Sequence, residues 1–199
     1  MAGRPGLGCY HQSMPKTALE RRDQAVRNLA RRLDEGGVPY AIAGAMAMEA
    51  HGHRRPTTDV DVLLTQAGMV EFKRRCLGHG YAERFAGSHR LRDTELEVSI
   101  AISITGEFPG DGRHKAVAFP DPAQVAVRAS AGAVAMLPLA SLIELKLAAG
   151  MTAPARSMDL ADVVALVRAG KLGRDYGAAF NPWVKAKYDE LWLTAQAAA

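Results

Sequence analysis

Two aspartates separated by one residue, Asp59 and Asp61, are the residues of this chain best suited to chemistry. They lie in the run Asp-Val-Asp-Val, which has the pattern of a β-strand. Successive side chains of a strand point to opposite faces, so the two carboxylates share a face and repel each other. A hard cation that prefers oxygen ligands, Mg²⁺ or Mn²⁺, removes that repulsion. We therefore predict that both aspartates are catalytic metal ligands; the alternative is a pair of solvent-facing charges at a strand end.

A glycine turn precedes this strand. The apolar run 40–43 ends at Gly44, and a helical stretch follows from Ala45 to His51. Glycine lets the backbone approach a ligand closely, and free N–H groups at a helix N-terminus favour phosphate. Gly44 and Ala45 are therefore predicted to form a phosphate-binding site. A phosphate-binding site beside metal-binding carboxylates suits phosphoryl or nucleotidyl transfer from a nucleoside triphosphate (NTP).

Further motifs accompany the glycine and the aspartates. The run Arg55-Pro56-Thr57-Thr58-Asp59-Val60-Asp61 follows Gly44-Ala45, and Lys146 and the run Arg156-Ser157-Met158-Asp159-Leu160-Ala161-Asp162 come later. Over about residues 38–167 these motifs resemble the nucleotidyltransferase superfamily of the polymerase-beta type. Within it they are similar to the bacterial branch related to abortive-infection toxins, and closest to an uncharacterised subgroup of it.

The resemblance implies roles for residues outside the aspartate pair. Lys146 would serve the nucleotide and Asp159 would act in the site, while Arg55 would contact phosphate and Thr57 would lie beside it. For Lys146 and Asp159 the alternative is a helix-surface charge or a structural ion pair. Asp162 is interpreted as a charge that favours the N-terminal half of its helix.

A third metal-binding carboxylate on a neighbouring strand is usual in the superfamily. The alternating run 96–104 is the expected strand, with Glu97 and Ala101 on its polar face. Relatives that share the Gly106–Gly112 loop and the Ala118–Pro122 run have their acidic residue at the place of Ala101. Glu97 serves as the third ligand only if the strand register brings it level with Asp61, since four strand residues span about 13 Å. The third ligand is therefore either Glu97 or missing.

The family also usually has Ser or Gly where this chain has Ala45, so one hydroxyl donor to phosphate is lost. Two functions follow. The leading one is a Mg²⁺-dependent nucleotidyltransferase that moves a nucleoside monophosphate from an NTP to a hydroxyl of RNA, protein or a small molecule. The alternative is a catalytically degraded protein of the same fold, acting as a nucleotide-binding or interaction module. A toxin-like role with an antitoxin or other protein partner stays open.

Composition sets broader bounds. The chain has 199 residues, 48% of them hydrophobic, which suits one globular domain. A net charge of +4 suits a polyanionic ligand such as a nucleotide or RNA. Cys9 and Cys76 lie far apart, without metal-ligand spacing, as in a reducing cytoplasm. The apolar run 131–143 is broken by Pro138 and is too short to span a membrane, and no secretory signal is recognisable.

The order of predicted elements is α, β, α, β, α, several β, then three helices. This order indicates an α+β fold, with a small mixed sheet flanked by helices. We divide it into a disordered arm (1–14), a nucleotidyltransferase-like core (15–138) and a C-terminal helical part packed on the core (139–199).

Two weaker sites are also present in the sequence. The first helix, begun by the capping box Thr17–Glu20, carries an arginine face that could bind RNA; a solvated face is favoured, because aromatic platforms for bases are missing. His51 and His53 could bind a transition metal, but further ligands at a suitable spacing are missing. The arginines of the first helix are Arg21, Arg22, Arg27, Arg31 and Arg32.

Overall fold

The computed structural model describes residues 17–197, so the predicted arm (1–14) lies outside the described residues. Within these residues seven α-helices and five strands follow in the order α-β-α-β-α, then three strands, then four helices, as in an α+β fold. The helices are α1 (Ala18–Glu35), α2 (Gly44–Ala50), α3 (Gln66–Cys76), α4 (Pro122–Val125), α5 (Leu139–Thr152), α6 (Ser157–Ala169) and α7 (Pro182–Ala197). The strands are β1 (Tyr40–Ile42), β2 (Val60–Leu64), β3 (Tyr81–Glu83), β4 (Arg90–Asp93) and β5 (Val98–Ile104).

The five strands form one mixed sheet in the order β1-β2-β5-β4-β3. Only β2 and β5 run parallel; the other pairs are antiparallel. In this register Asp61 pairs with Ala101, and Ala101 pairs in turn with Arg90 on β4. The predicted class, a small mixed sheet flanked by helices, is confirmed.

The two faces of the sheet are covered differently. Helices α1 and α3 pack on one face, where Val60, Val62 and Ile100 belong to the larger apolar core. Helices α5, α6 and α7 cover the other face only at β1 and β2, through residues such as Ala41 and Leu63. The polar side of β5, β4 and β3 is left exposed, and Asp61 lies at the border between the covered and the exposed halves.

Side-chain caps set several helix ends where the sequence predicts them. The capping box of Thr17 and Glu20 begins α1, and Thr65 accepts from Gly68 N at the start of α3. Asn181 accepts from Trp183 N before Pro182, which begins α7. Such caps satisfy N–H groups that the first helical turn leaves without partners.

After β5, a cap from Asp121 begins the short helix α4, and Val127 and Met136 form an isolated bridge. One expectation of local structure is wrong. Arg22 is not on a solvated helix face. It is 2% exposed and pairs with Asp23 and with Glu49 of α2.

Between residues 17 and 197, none of the helices is long and apolar enough to cross a membrane.

Candidate functional site

Asp61 and Gly44 lie against each other at the end of the covered half-sheet. Gly44 begins α2 with a φ of +59°, a left-handed conformation that glycine adopts at little cost. A Cβ at this position would lie 2.7 Å from Asp61 Cγ, and it would overlap the carboxylate. The turn is tied to the same strand, because Ala43 N–H donates to the carbonyl of Asp61 over 2.8 Å.

Asp59 precedes β2 and is exposed. Its backbone N–H donates to Thr57 Oγ1 at 3.3 Å, and the Thr58 hydroxyl donates to Asp59 Oδ1 at 3.4 Å. Thr57 therefore shapes the turn that presents Asp59. The negative charge of Asp59 contributes to the raised pKa of Asp61.

Asp61 titrates in a mixed environment. Burial is the largest influence and raises the pKa of its carboxyl above the ordinary aspartate value. The positive charges of Lys146 and Arg156 oppose this shift, whereas Asp59 adds to it. Among residues 17–197, Asp61 makes no side-chain hydrogen bond or ion pair, which leaves its oxygens free for a ligand.

Lys146 is buried between two carboxylates of α6. Its Nζ lies 2.9 Å from Asp159 Oδ1 and 2.6 Å from Asp162 Oδ2, and all three side chains are less than 10% exposed. Two of the three ammonium protons are thereby used. The sequence interpretation missed the part of Asp162, because the pairing is made between α5 and α6 and no helix-surface pattern reveals it.

Two arginines extend this cluster. Arg156 Nε donates to Asp159 Oδ2 at 2.5 Å, and Arg55 Nη1 lies 3.4 Å from Asp162 Oδ2. Arg55 Nε is buried and makes no hydrogen bond within the described part of the chain. The five charged groups carry a net charge of +1, so the wall opposite Asp61 is positive.

A cavity of about 460 Å³ lies between these walls. Asp61 and Gly44 line one side, and Arg55, Lys146 and Arg156 line another. Apolar and aromatic side chains complete it, among them Phe108, Phe119, Leu142 and Met158. Gly44 lines this cavity, but the predicted site residues Ala45, Thr57 and Asp59 do not. A polar end beside apolar walls is the usual construction of a small-molecule site.

The loop 106–115 closes the cavity and is held in place by Lys115, which the sequence did not single out. Its buried Nζ contacts the Pro109 carbonyl and Asp111 Oδ1, each at 2.5 Å, and Thr152 Oγ1 at 3.3 Å. Gly110 packs so tightly on α5 that a Cβ there would lie 3.0 Å from Ala149 Cα. These contacts fix the loop against α5.

Glu97 is not brought to the aspartates. It lies in the turn before β5 with a φ of +58° and pairs with Arg92 at 3.0 Å. Asp61 is level with Ala101, four residues further along, or about 13 Å. The register thus removes the condition on which Glu97 could be the third ligand, and the corresponding position is an alanine.

The oxygen donors present fit one divalent cation completed by phosphate oxygens. Mg²⁺ is commonly held by one or two carboxylates together with substrate phosphates. Asp59 and Asp61 can supply the carboxylates. A site made from protein groups alone does not fit, because residues 17–197 hold no group of three or more His, Cys, Asp or Glu side chains suited to a metal. His51 has a structural partner instead, with Nε2 2.9 Å from the Leu137 carbonyl.

The fold is similar to that of solved nucleotidyltransferases. The crystal structure of ANT(2'')-Ia in complex with adenylyl-2''-tobramycin matches with a TM-score of 0.52 and 13% sequence identity, over 88% of this chain and 97% of that chain. The solution structure of the antibiotic-resistance factor ANT(2'')-Ia matches with a TM-score of 0.47 and 13% identity, over 88% and 95% of the two chains. No protein-family model and no curated protein matches the chain. At this identity the first likeness establishes the fold alone.

Proposed function

We propose that the protein is a nucleotidyltransferase that moves a nucleoside monophosphate from an NTP to an acceptor hydroxyl. The observation that carries the proposal is the cavity in which Asp61, freed of side-chain partners and set against Gly44, lies opposite a positive wall of Arg55, Lys146 and Arg156. The likeness to ANT(2'')-Ia supports it, since that structure contains a nucleotidyl group joined to an acceptor.

Asp59 and Asp61 are the groups that would hold Mg²⁺ or Mn²⁺ together with the triphosphate. When bound, the ion orients the phosphates and offsets the charge of the leaving pyrophosphate. Arg55 and Arg156 are placed to contact phosphate oxygens, and guanidinium groups do so with two parallel hydrogen bonds. Gly44 and Ala45 would offer backbone N–H groups, and Thr57 fixes the turn that presents Asp59.

Lys146 and Asp159 act as a pair in this proposal. Asp159 holds Lys146 from one side and Arg156 from the other, so it fixes two cations on the cavity wall. In the reaction the acceptor oxygen bonds to the α-phosphorus while the bond to pyrophosphate breaks, and the hydroxyl proton passes to water. The positive wall stabilises the charge that pyrophosphate carries away.

Thermal unfolding with each NTP, with and without Mg²⁺, tests the proposal without knowledge of the acceptor. A ligand that binds the native state at a hundredfold excess over its dissociation constant stabilises it by about 2.7 kcal/mol. We expect a Mg²⁺-dependent rise in melting temperature for the wild type, lost in the Asp59→Asn, Asp61→Asn double variant. No rise with any NTP would contradict the proposal.

One observation favours the second candidate, a degraded protein of the same fold that binds nucleotide without transferring it. Ala101 occupies the position level with Asp61, so a third carboxylate is missing there. Under this alternative the NTP-dependent rise persists, but pyrophosphate release stays at the background rate with every acceptor class. Release above background that depends on Asp61 would exclude it.

Membership of the abortive-infection branch, and with it a toxin-like role, is a finer proposal. It is supported by the runs 55–61 and 156–162 and by Lys146. Five of their charged side chains line one cavity, namely Arg55, Asp61, Lys146, Arg156 and Asp159. Expression in bacteria should then arrest growth, and Asp61→Asn should relieve the arrest. Equal growth with and without the substitution would contradict a toxin role and leave the transfer activity to be judged separately.

A further inference from the structure

The exposed half of the sheet beside Asp61 carries a line of arginines. Asp61 pairs with Ala101, and Ala101 pairs with Arg90. Arg84 lies one residue beyond the edge strand β3 and opposite Arg90, where Arg84 N donates to the Arg90 carbonyl over 3.0 Å. Paired residues of adjacent strands share a face, and strands lie about 4.8 Å apart. Arg90 therefore lies about 10 Å from Asp61 across the sheet, and Arg84 about 14 Å.

These arginines line a groove of about 630 Å³, which also includes Arg92. Arg92 forms an ion pair with Glu97 at 3.0 Å, and the nearby Glu83 forms one with Lys73 at 2.7 Å. Within the part of the chain that the structure describes, the side chains of Arg84 and Arg90 have no hydrogen-bond or ion-pair partner. The groove thus keeps two uncompensated guanidinium groups.

Only small side chains of β5 lie between these arginines and Asp61. Ser99, Ala101 and Ser103 are the β5 side chains on this face, and none is large enough to separate the groove from Asp61. Phe85 follows Arg84 in the chain and is 66% exposed, but its ring does not line the groove. A positively charged groove that tracks the phosphate backbone is a feature of single-strand binding.

We propose that this face binds the acceptor, and that the acceptor is a single-stranded nucleic acid. Its phosphates would contact Arg84 and Arg90, and its terminal hydroxyl would reach Asp61 across Ala101. This inference rests on the proposed function. A polycationic acceptor such as the aminoglycoside part of adenylyl-2''-tobramycin is disfavoured here, because it would meet two unpaired positive charges.

Binding of a fluorescein-labelled 12-nucleotide RNA with a free 3′ hydroxyl tests the assignment by anisotropy between 50 and 200 mM KCl. The test variant is Arg84→Gln with Arg90→Gln. The matched control is Arg21→Gln with Arg32→Gln, which removes two exposed arginines from α1 on the opposite face of the sheet. Both variants lower the net charge by the same amount, so a difference between them reports position.

We expect the test variant to bind at least tenfold more weakly than the wild type. The salt slope should fall by about 1.4, since each phosphate contact on a single strand contributes about 0.7. The control should bind like the wild type. Equal losses in both variants, or RNA binding that does not depend on salt, would overturn the inference and favour another acceptor class, such as an acidic protein.

The NTP-dependent rise in melting temperature of the wild type is a separate readout. A rise with NTP, together with no RNA binding, overturns the acceptor assignment and leaves the proposed function standing. RNA binding lost in the test variant, without any NTP response, supports the basic face and contradicts nucleotidyl transfer.

Discussion

Gly44 and Asp61 occupy adjoining space, and the carboxylate of Asp61 fills the place that a side chain at position 44 would take. The glycine therefore has two consequences. It permits the φ of +59° with which α2 begins, and it lets a strand aspartate lie against the first turn of that helix. Any larger residue must displace the carboxylate, because the Asp61 backbone is held in an interior strand between β1 and β5.

A comparison of Gly44→Ala with Gly37→Ala should separate the cost of the left-handed backbone from the displacement of Asp61. Gly37 has a φ of +62°, but nothing lies within 4 Å of a Cβ built on it. Each substitution should cost about 1–2 kcal/mol of unfolding free energy for the left-handed backbone. Only Gly44→Ala should also abolish the NTP-dependent rise in melting temperature, because it moves Asp61.

Urea unfolding measures the first effect and thermal unfolding with Mg²⁺ and NTP the second. A Gly44→Ala variant that keeps the full NTP response would show that the position of Asp61 does not matter for nucleotide binding. Loss of the response in Gly37→Ala as well would show that lowered stability alone removes it.

The buried carboxylate of Asp61 should reduce the stability of the ligand-free protein at neutral pH. Burial raises the pKa of Asp61 in the folded state, so the unfolded chain ionises this group more readily. The resulting loss of stability appears as the pH rises, first through the pKa of Asp61 in the unfolded chain and then through its higher pKa in the folded protein. The loss is complete above both pKa values. Asp61→Asn should therefore raise the melting temperature at pH 7, and this gain should vanish at a pH below the ordinary aspartate value of about 3.9.

The measurement is thermal unfolding in EDTA from pH 3 to pH 8. Asp59→Asn is the matched control, since Asp59 is exposed and its removal should change the melting temperature little. A lower melting temperature of Asp61→Asn at pH 7 would mean that attraction to Lys146 and Arg156 outweighs the cost of burial.

The local features of the site could be predicted from the sequence. Alternation places Asp59 and Asp61 on one face, and Gly44 ends an apolar run before a helix, both of which are patterns within a few residues. The register between β2 and β5 could not be predicted. It depends on pairing residues that lie about forty positions apart, and the choice between Glu97 and a missing ligand depends on that register.

The alternating pattern predicts a strand over residues 96–104, but the observed strand β5 begins only at Val98. Leu96 and Glu97 continue the pattern, but they belong to the turn from β4, where Asp93 accepts from the N–H groups of Glu95 and Leu96. A tight turn needs a left-handed residue, and Glu97 takes that place. The buried pairing of Lys146 with Asp162 was missed for a different reason: only the packing of α5 on α6 removes both side chains from water.

Lys146→Met should be among the most destabilising single substitutions of a charged residue in this protein. It leaves the carboxylates of Asp159 and Asp162 buried without their shared ammonium, and breaking a buried pair in this way costs about 3–5 kcal/mol. Lys187→Met is the control, because its partner Glu190 is 61% exposed and such pairs contribute less than about 1 kcal/mol.

Urea unfolding at pH 7 gives both values. Lys146→Met combined with Asp159→Asn and Asp162→Asn should recover part of the loss, since no buried charge is then left unpaired. Equal losses in Lys146→Met and Lys187→Met would show that Arg55 and Arg156 suffice to neutralise the two carboxylates.

Ala101→Asp should restore the carboxylate that the register shows to be missing. The new side chain would stand on the strand next to Asp61, at about 4.8 Å between the strands, and on the same face. Without Mg²⁺ it should lower the melting temperature, because a further negative charge joins Asp59 and Asp61. With NTP present, Mg²⁺ should stabilise this variant at concentrations about tenfold lower than those the wild type needs, because a third oxygen ligand of the right sign is available.

Ala101→Asn is the matched control, since it has nearly the same size and shape without the charge. A Mg²⁺ titration of the melting temperature at fixed NTP compares the three proteins. If Ala101→Asp and Ala101→Asn respond alike, the cation does not lie between β2 and β5, and the metal-binding role of Asp61 is contradicted. If Ala101→Asp alone releases pyrophosphate above background, the wild-type chain is a nucleotide-binding protein whose catalysis ended with the loss of this carboxylate.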